Sequence, residues 1–211
     1  MHWFHSRRSG EILPSRLILT ALAVWMAASA ALAAPSALEA IKQTAGGVLE
    51  ALRDPKLKAN RELRRERIQS LLRARFDFEE MAKRALGPHW SKQNPQDQRR
   101  FVEQFTELLI TTYTDRIDDY KGEQINYGRE RQDDGNATVE TKIQDRQGQE
   151  HSVNYRLALK KDDWKVYDVV IEDISIVNNY RSQFSRLLNR GTFTDLLQAL
   201  ASKRFQQPGA S

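Results

Sequence analysis

The residues able to do chemistry in this chain are few and scattered. His89 and His151 are the histidines that follow the N-terminal apolar segment, and neither has a second histidine four positions away to share a metal on one helix face. No Gly-x-Ser-x-Gly elbow, P-loop or Gly-x-Gly-x-x-Gly fingerprint occurs. Acids are plentiful but fall at helix starts, turns and solvent-facing positions. Asp168 is the exception, because it interrupts an apolar strand between Tyr167 and Val169. A buried carboxylate must be hydrogen-bonded or paired with a charge. Arg181, on the helix just after that strand, is the expected partner, so Asp168 and Arg181 read as a structural pair. A catalytic role for Asp168 would need a companion acid, a nucleophile or a metal set, and none is recognisable.

The elements around this pair lie in one segment, Trp164 to Phe184. Read with period two, Trp164, Val166 and Val170 fall on one face, and Tyr167, Val169 and Ile171 on the other. Apolar side chains on both faces imply cover on both sides of the strand. The period then becomes helical: Val177, Tyr180, Phe184, Leu187 and Leu188 form one amphipathic stripe. Such a junction marks the edge of a core or the wall of an apolar cavity.

Before it the chain runs through helices and then strands. Leu38 to Leu52 reads as a helix ended by Asp54-Pro55, and Asn60 to Arg75 as a second with a basic face. Asp77 and Glu80 have capping-box spacing and open a short helix that stops at Gly87-Pro88. Asn94-Pro95-Gln96-Asp97 starts a long helix expected to reach Tyr120, with a wide apolar face. Four strands follow, around Ile125 to Tyr127, Ala137 to Ile143, Val153 to Leu159, and the strand that begins at Trp164. Asp134-Gly135, Gln147-Gly148 and Asp162-Asp163 are the expected turns of an antiparallel meander. A last helix holds Phe193, Leu196, Leu197 and Leu200. The predicted class is α+β: N-terminal helices, a curved four-stranded antiparallel sheet and C-terminal helices, enclosing an apolar cavity.

Residues 1–33 read as a cleaved signal peptide, with arginines before the apolar run Leu17 to Ala28 and small residues at Ala31-Leu32-Ala33. The apolar run is shorter than the roughly 20 residues a spanning helix needs. Residues 34–205 then form one domain, and 206–211 a disordered tail. Without any cysteine, disulfides and thiolate metal sites are excluded. The expected mature chain carries 30 Lys or Arg against 27 acids, and residues 53 to 75 hold nine of those bases against three acids. Arg61, Arg64, Arg65 and Arg67 on this segment make either a solvated helix face or a surface meeting lipid phosphates or an acidic partner. One basic segment without interleaved aromatics argues against nucleic acid.

Several segments together resemble the MlaC, or toluene-tolerance, family. They are Phe76-Asp-Phe-Glu-Glu-Met-Ala82, Ala85-Leu-Gly-Pro-His-Trp90, the helix carrying Phe101, Phe105, Leu108, Leu109 and Tyr113, Trp164-Lys-Val-Tyr-Asp-Val-Val170, and Asn179-Tyr-Arg-Ser-Gln-Phe184. Asp173 departs from the pattern, where a small residue, commonly glycine, is expected. The resemblance implies a soluble periplasmic carrier that is not an enzyme and has no cofactor. Its cargo would be phospholipid held by the acyl chains. It would pass lipid between an outer-membrane lipoprotein complex and an inner-membrane ABC transporter with an MCE-domain subunit, maintaining outer-membrane lipid asymmetry. A shuttle of this kind is most simply a monomer.

The residues themselves are compatible with that role. The wide face of the long helix, set against the sheet, supplies walls, and tyrosines can place rings on chains while directing hydroxyls toward a wetter mouth. The candidate lining is Leu109, Tyr113, Ile117, Tyr155, Val169, Ile171 and Val177. Two readings stay open beside it: an α+β enzyme using the cavity as its active site, and an interaction module whose apolar residues are all core.

Overall fold

The computed structural model describes residues 36–202 and residue 205. The expected leader (1–33) and tail (206–211) lie outside the described residues. Helix α1 (Ala37–Arg53) is followed by α2 (Pro55–Ala59), α3 (Arg61–Arg75) and α4 (Phe78–Leu86), then by a 3-10 turn at Gly87–Lys92. The long α5 (Pro95–Asp118) leads into strands β1 (Gln124–Asp133), β2 (Asn136–Gln144), β3 (Glu150–Lys160), β4 (Asp163–Ile171) and β5 (Ile174–Ser175). Helices α6 (Ile176–Leu188) and α7 (Phe193–Ala201) close the order.

Side-chain caps set most of these helix starts. Asn94 accepts the N–H groups of Gln96 and Asp97 at 2.9 Å each, and Asp77 accepts that of Glu80 at 3.0 Å. Thr192 and Asp195 form a reciprocal capping box on α7. The start of α1 is held from a distance, because the Glu130 carboxylate accepts the N–H groups of Ala37 and Leu38 at 2.9 and 3.2 Å. Asp54-Pro55 does end α1 as expected, yet Asp54 then caps the short α2, which the sequence reading missed. Helix α5 stops at Asp118, two residues before the expected Tyr120.

The sheet is an antiparallel meander in the order β1-β2-β3-β4-β5. It has five strands where four were expected. The fifth is only two residues long, too short to show a pattern, and it pairs Val170 with Ser175 and Ile171 with Ile174. Glu172 and Asp173 join it to β4 with φ of +46° and +62°, the left-handed pair of a two-residue hairpin. The β3–β4 turn falls on Lys161 and Asp162, both at positive φ, one residue earlier than expected, and Asp163 already pairs with Lys160.

Buried Val170 keeps β4 apolar on both faces, but the expected division of its residues between them is corrected by the register. Leu157 pairs with Val166 and Arg156 with Asp168, which leaves Tyr167 as an extra residue in a β-bulge. Beyond it Tyr155 pairs with Val169 and Val153 with Ile171. Trp164, Val166, Val169 and Ile171 therefore share one face with Val153, Tyr155 and Leu157, while Asp168 and Val170 turn to the other. Plain alternation cannot reveal an inserted residue, so the sequence divides between two faces what the bulge gathers onto one.

That apolar face and the helices bury one main cluster. Phe101 and Phe105 of α5 stack at 5.7 Å, Phe184 meets them edge-on at 5.5 and 5.4 Å, and Tyr180 meets Phe105 at 5.3 Å. A smaller cluster of Ala51, Leu52 and Ile68 joins α1 to α3, with Ile117 packed against it.

Candidate functional site

The candidate lining residues separate into two places. Leu109, Val169 and Val177 are buried in the main cluster, and Tyr113, Tyr155 and Ile171 pack against them. Ile117 does not join them, because it faces the α1–α3 contact at the far end of α5. Within the main cluster the Tyr113 and Tyr180 hydroxyls are buried without a hydrogen-bond partner. Burial pushes the Tyr180 phenol up to about 12, although Arg116 opposes the rise. Burial and the neighbouring Tyr180 push the Tyr113 phenol higher still. Burial raises the Tyr155 phenol to about 12 as well. All three stay neutral across the physiological range.

Asp168 is 4 % exposed at its side chain, and its ion-pair partner is Arg156, directly opposite on β3, at 3.0 Å. Its carboxylate also accepts the Ser175 hydroxyl at 2.7 Å and the Val177 N–H at 3.1 Å. The expected pairing with Arg181 is thus corrected. Cross-strand register puts Arg156 beside the carboxylate, while Arg181 points to α4 and lies against Gly87. With both oxygens engaged, Asp168 serves as a cap and a strand tie.

Beside it opens a cleft of about 430 Å³, bounded by α4, the 3-10 turn, α6 and the bulge. Tyr167 and Asp168 both line it, as do Arg84, Trp90, Arg156 and Arg181. The bulge aims the Tyr167 ring into the cleft, where the Arg84 guanidinium lies 4.3 Å from its centroid. Arg84 also pairs with Glu80 at 2.7 Å. Val177 is the one candidate lining residue that borders both this cleft and the apolar cluster. The sequence reading missed the cleft because its walls come from three separated segments.

Three of the four arginines singled out on α3 have a structural task. Arg61 and Arg64 both bind the Asp118 carboxylate, at 2.7 and 2.6 Å, and Arg65 binds Asp115 at 2.5 Å. Arg67 is exposed and forms no ion pair among the described residues. Asp118 is 2 % exposed at its side chain. Burial would raise its carboxyl, but the hydrogen bonds from Arg61 and Arg64 outweigh that and hold it below the usual range. The expected basic surface is therefore partly a clamp between α3 and the end of α5.

Among the described residues no three His, Asp or Glu side chains gather as a metal site, and no helix is long and apolar enough to cross a membrane. The fold and the cleft define an α+β domain built as a five-strand meander under a helical layer. The family profile described as MlaC protein matches residues 42–202, and the chain belongs to that family. Toluene tolerance protein ttg2D of Pseudomonas putida is 30% identical over 100 residues, a stretch covering 47% of this chain and 46% of that protein. The chain thus matches just under half the length of this curated relative. A phospholipid-binding protein from Ralstonia solanacearum, solved in complex with a phospholipid, superposes with a TM-score of 0.72. It is 25% identical, and the match covers 80% of this chain and 97% of that one.

Proposed function

We propose that this protein is a periplasmic phospholipid carrier that holds its cargo by the acyl chains and performs no chemical reaction on it. The observation that carries the reading is the superposition on a chain whose structure holds a phospholipid. The continuous apolar face of β3 and β4, opposite the aromatic side of α5 and α6, supports it. So do the structural bonds of Asp168 to Arg156, Ser175 and Val177, which give the most conspicuous buried acid a role in holding the fold.

Energetics supply the reason for such a protein. Each methylene exposed to water costs about 0.8 kcal/mol, so one long acyl chain costs on the order of 10 kcal/mol. Unaided escape is correspondingly slow, and loading and release belong in contact with partners that continue the apolar path. On this reading those partners are an outer-membrane lipoprotein complex and an inner-membrane ABC transporter with an MCE-domain subunit, and the transfer maintains outer-membrane lipid asymmetry. Export through a cleaved leader over 1–33 and a monomeric carrier spanning 34–205 belong to the same proposal. Docking of the α3 surface on acidic groups is part of it too, with Arg67 as its unpaired cation.

The test is direct. The protein is purified from a bacterial envelope, extracted with organic solvent, and the extract analysed by mass spectrometry. Near-stoichiometric phospholipid is expected. A protein that repeatedly emerges without lipid, and takes none from vesicles, overturns the reading.

A further inference from the structure

We propose that the cleft between α4 and α6 is a phosphate subsite, in which Arg181 and Lys83 receive the phosphodiester of a lipid head group while the acyl chains pass Val177 into the interior. The inference rests on the carrier reading and adds to it a place for the charged end of the cargo.

Charge is the first argument. Four cations line the cleft, Lys83, Arg84, Arg156 and Arg181, against two acids, Glu80 and Asp168. Each acid already has its own cation: Glu80 holds Arg84 at 2.7 Å, and Asp168 holds Arg156 at 3.0 Å. Lys83 and Arg181 form no ion pair among the described residues, so two positive charges in the cleft are left unneutralised. A guanidinium and an ammonium on facing helices suit the spread charge of a phosphodiester.

The second argument is that the place for Arg181 is built. Gly87 closes α4 at φ +56°, and a Cβ there would lie 2.8 Å from Nε and 3.1 Å from Cζ and Nη2 of Arg181. The guanidinium occupies the space that a side chain at residue 87 would fill. An arginine placed by backbone shape, not by a carboxylate, keeps its donors for a ligand. Asn178 and Ser91 add polar groups to the rim, and Trp90 and Tyr167 supply aromatic wall.

Position is the third. Val177 is 3% exposed, and it borders the cleft on one side and the apolar cluster of Leu109, Val169 and Tyr180 on the other. A cationic recess opening beside an apolar interior matches a molecule with one anionic end. A volume of about 430 Å³ suits a head group rather than a whole lipid.

The experiment uses delipidated protein, as wild type, Arg181→Gln, and the double variant Lys83→Gln with Arg181→Gln. Three competitors displace a fluorescent phospholipid: dioleoyl phosphatidylglycerol, dioleoylglycerol with the same chains but no phosphate, and inorganic phosphate. The wild type should prefer the phosphate-bearing lipid by at least about tenfold, the worth of one charge-assisted contact. In the double variant that preference should shrink to about threefold or less, with dioleoylglycerol affinity and the unfolding midpoint unchanged. Inorganic phosphate should displace nothing. A preference that survives in both variants, or is absent in the wild type while lipid still binds, overturns the subsite and leaves the carrier standing. Tight binding of inorganic phosphate with no preference between the two lipids would assign the cleft to free phosphate and overturn the head-group assignment. Wild type that binds neither lipid overturns the carrier reading and this one with it.

Discussion

The carboxylate of Asp168, in the middle of β4, accepts the backbone N–H of Val177 in the first turn of α6 at 3.1 Å. Ser175 completes the junction, donating its hydroxyl to Asp168 at 2.7 Å and accepting the Asn178 N–H at 3.0 Å. A strand residue thereby holds the start of the next helix, with negative charge at the positive end of the helix dipole.

Replacing Asp168 by Ala strands the Val177 N–H, the Ser175 hydroxyl and Arg156 together. Asp168→Ala should lower stability by about 3 kcal/mol, within the range for breaking a buried charged pair. Because the Arg156 side chain is 43% exposed, Arg156→Ala should cost only about 1 kcal/mol. Arg181→Ala should stay within about 0.5 kcal/mol, as surface changes do. Urea unfolding of the three variants decides the order; an Arg181 effect as large as that of Asp168 would restore the pairing expected from sequence.

Gly87 serves both the end of α4 and the seat of Arg181. Its φ of +56° with ψ of −129° is rarely adopted by a residue with a side chain. Gly87→Ala should cost about 2 kcal/mol and swing the Arg181 guanidinium out of the cleft. Thermal melts of Gly87→Ala, alone and with Arg181→Ala, separate the two effects, since the backbone cost should persist when the arginine is gone.

Acid should release the clamp between α3 and α5. Asp118 titrates lower folded than unfolded, and so does Glu130, where burial is outweighed by hydrogen bonds from Gln132 and the α1 amides. A lowered folded value means that the contribution is present above the unfolded carboxylate range, near pH 4, and drains as pH falls through the folded value. Asp118→Asn should therefore lower the urea midpoint at pH 7 and flatten its fall below about pH 4. Identical pH profiles for wild type and variant would refute this.

Alkali acts on the buried phenols. Tyr155 and Tyr180 titrate near 12 when folded, above the ordinary tyrosine value of 10. Their contribution is complete below pH about 10 and is lost as pH rises toward the folded values. Tyr180→Phe removes a buried hydroxyl that has no partner, so it should raise stability at pH 7 by about 1 kcal/mol and weaken the alkaline loss. A destabilised Tyr180→Phe would mean that the hydroxyl has a partner, such as bound water or cargo.

Asp173 sits at φ +62° in the β4–β5 hairpin, a conformation that glycine adopts without cost. Asp173→Gly should stabilise the protein by about 0.5 kcal/mol, because aspartate tolerates this region better than most residues. Calorimetric melting checks the sign.

By itself the sequence determined what depends on near neighbours. Caps at Asp77 and Asn94, the turn at Asp134-Gly135 and the stripe of α6 all rest on spacings of a few residues, and each is found where it was read. The order of helices, meander and helices followed from those signals, as did the family resemblance. What only the tertiary structure decided depends on partners brought together across the sheet or between helices. Asp168 takes Arg156 because strand register puts them opposite, and no local pattern encodes register. Tyr167 is a bulge, which an alternating pattern conceals, so apolar residues read on two faces lie on one. Arg61, Arg64 and Arg65 look like a free basic face until the end of α5 brings Asp115 and Asp118 against them. The cleft exists only where α4, α6 and β4 converge. Gly87 and Arg181 are far apart in sequence, and it is the space a glycine leaves that seats the arginine.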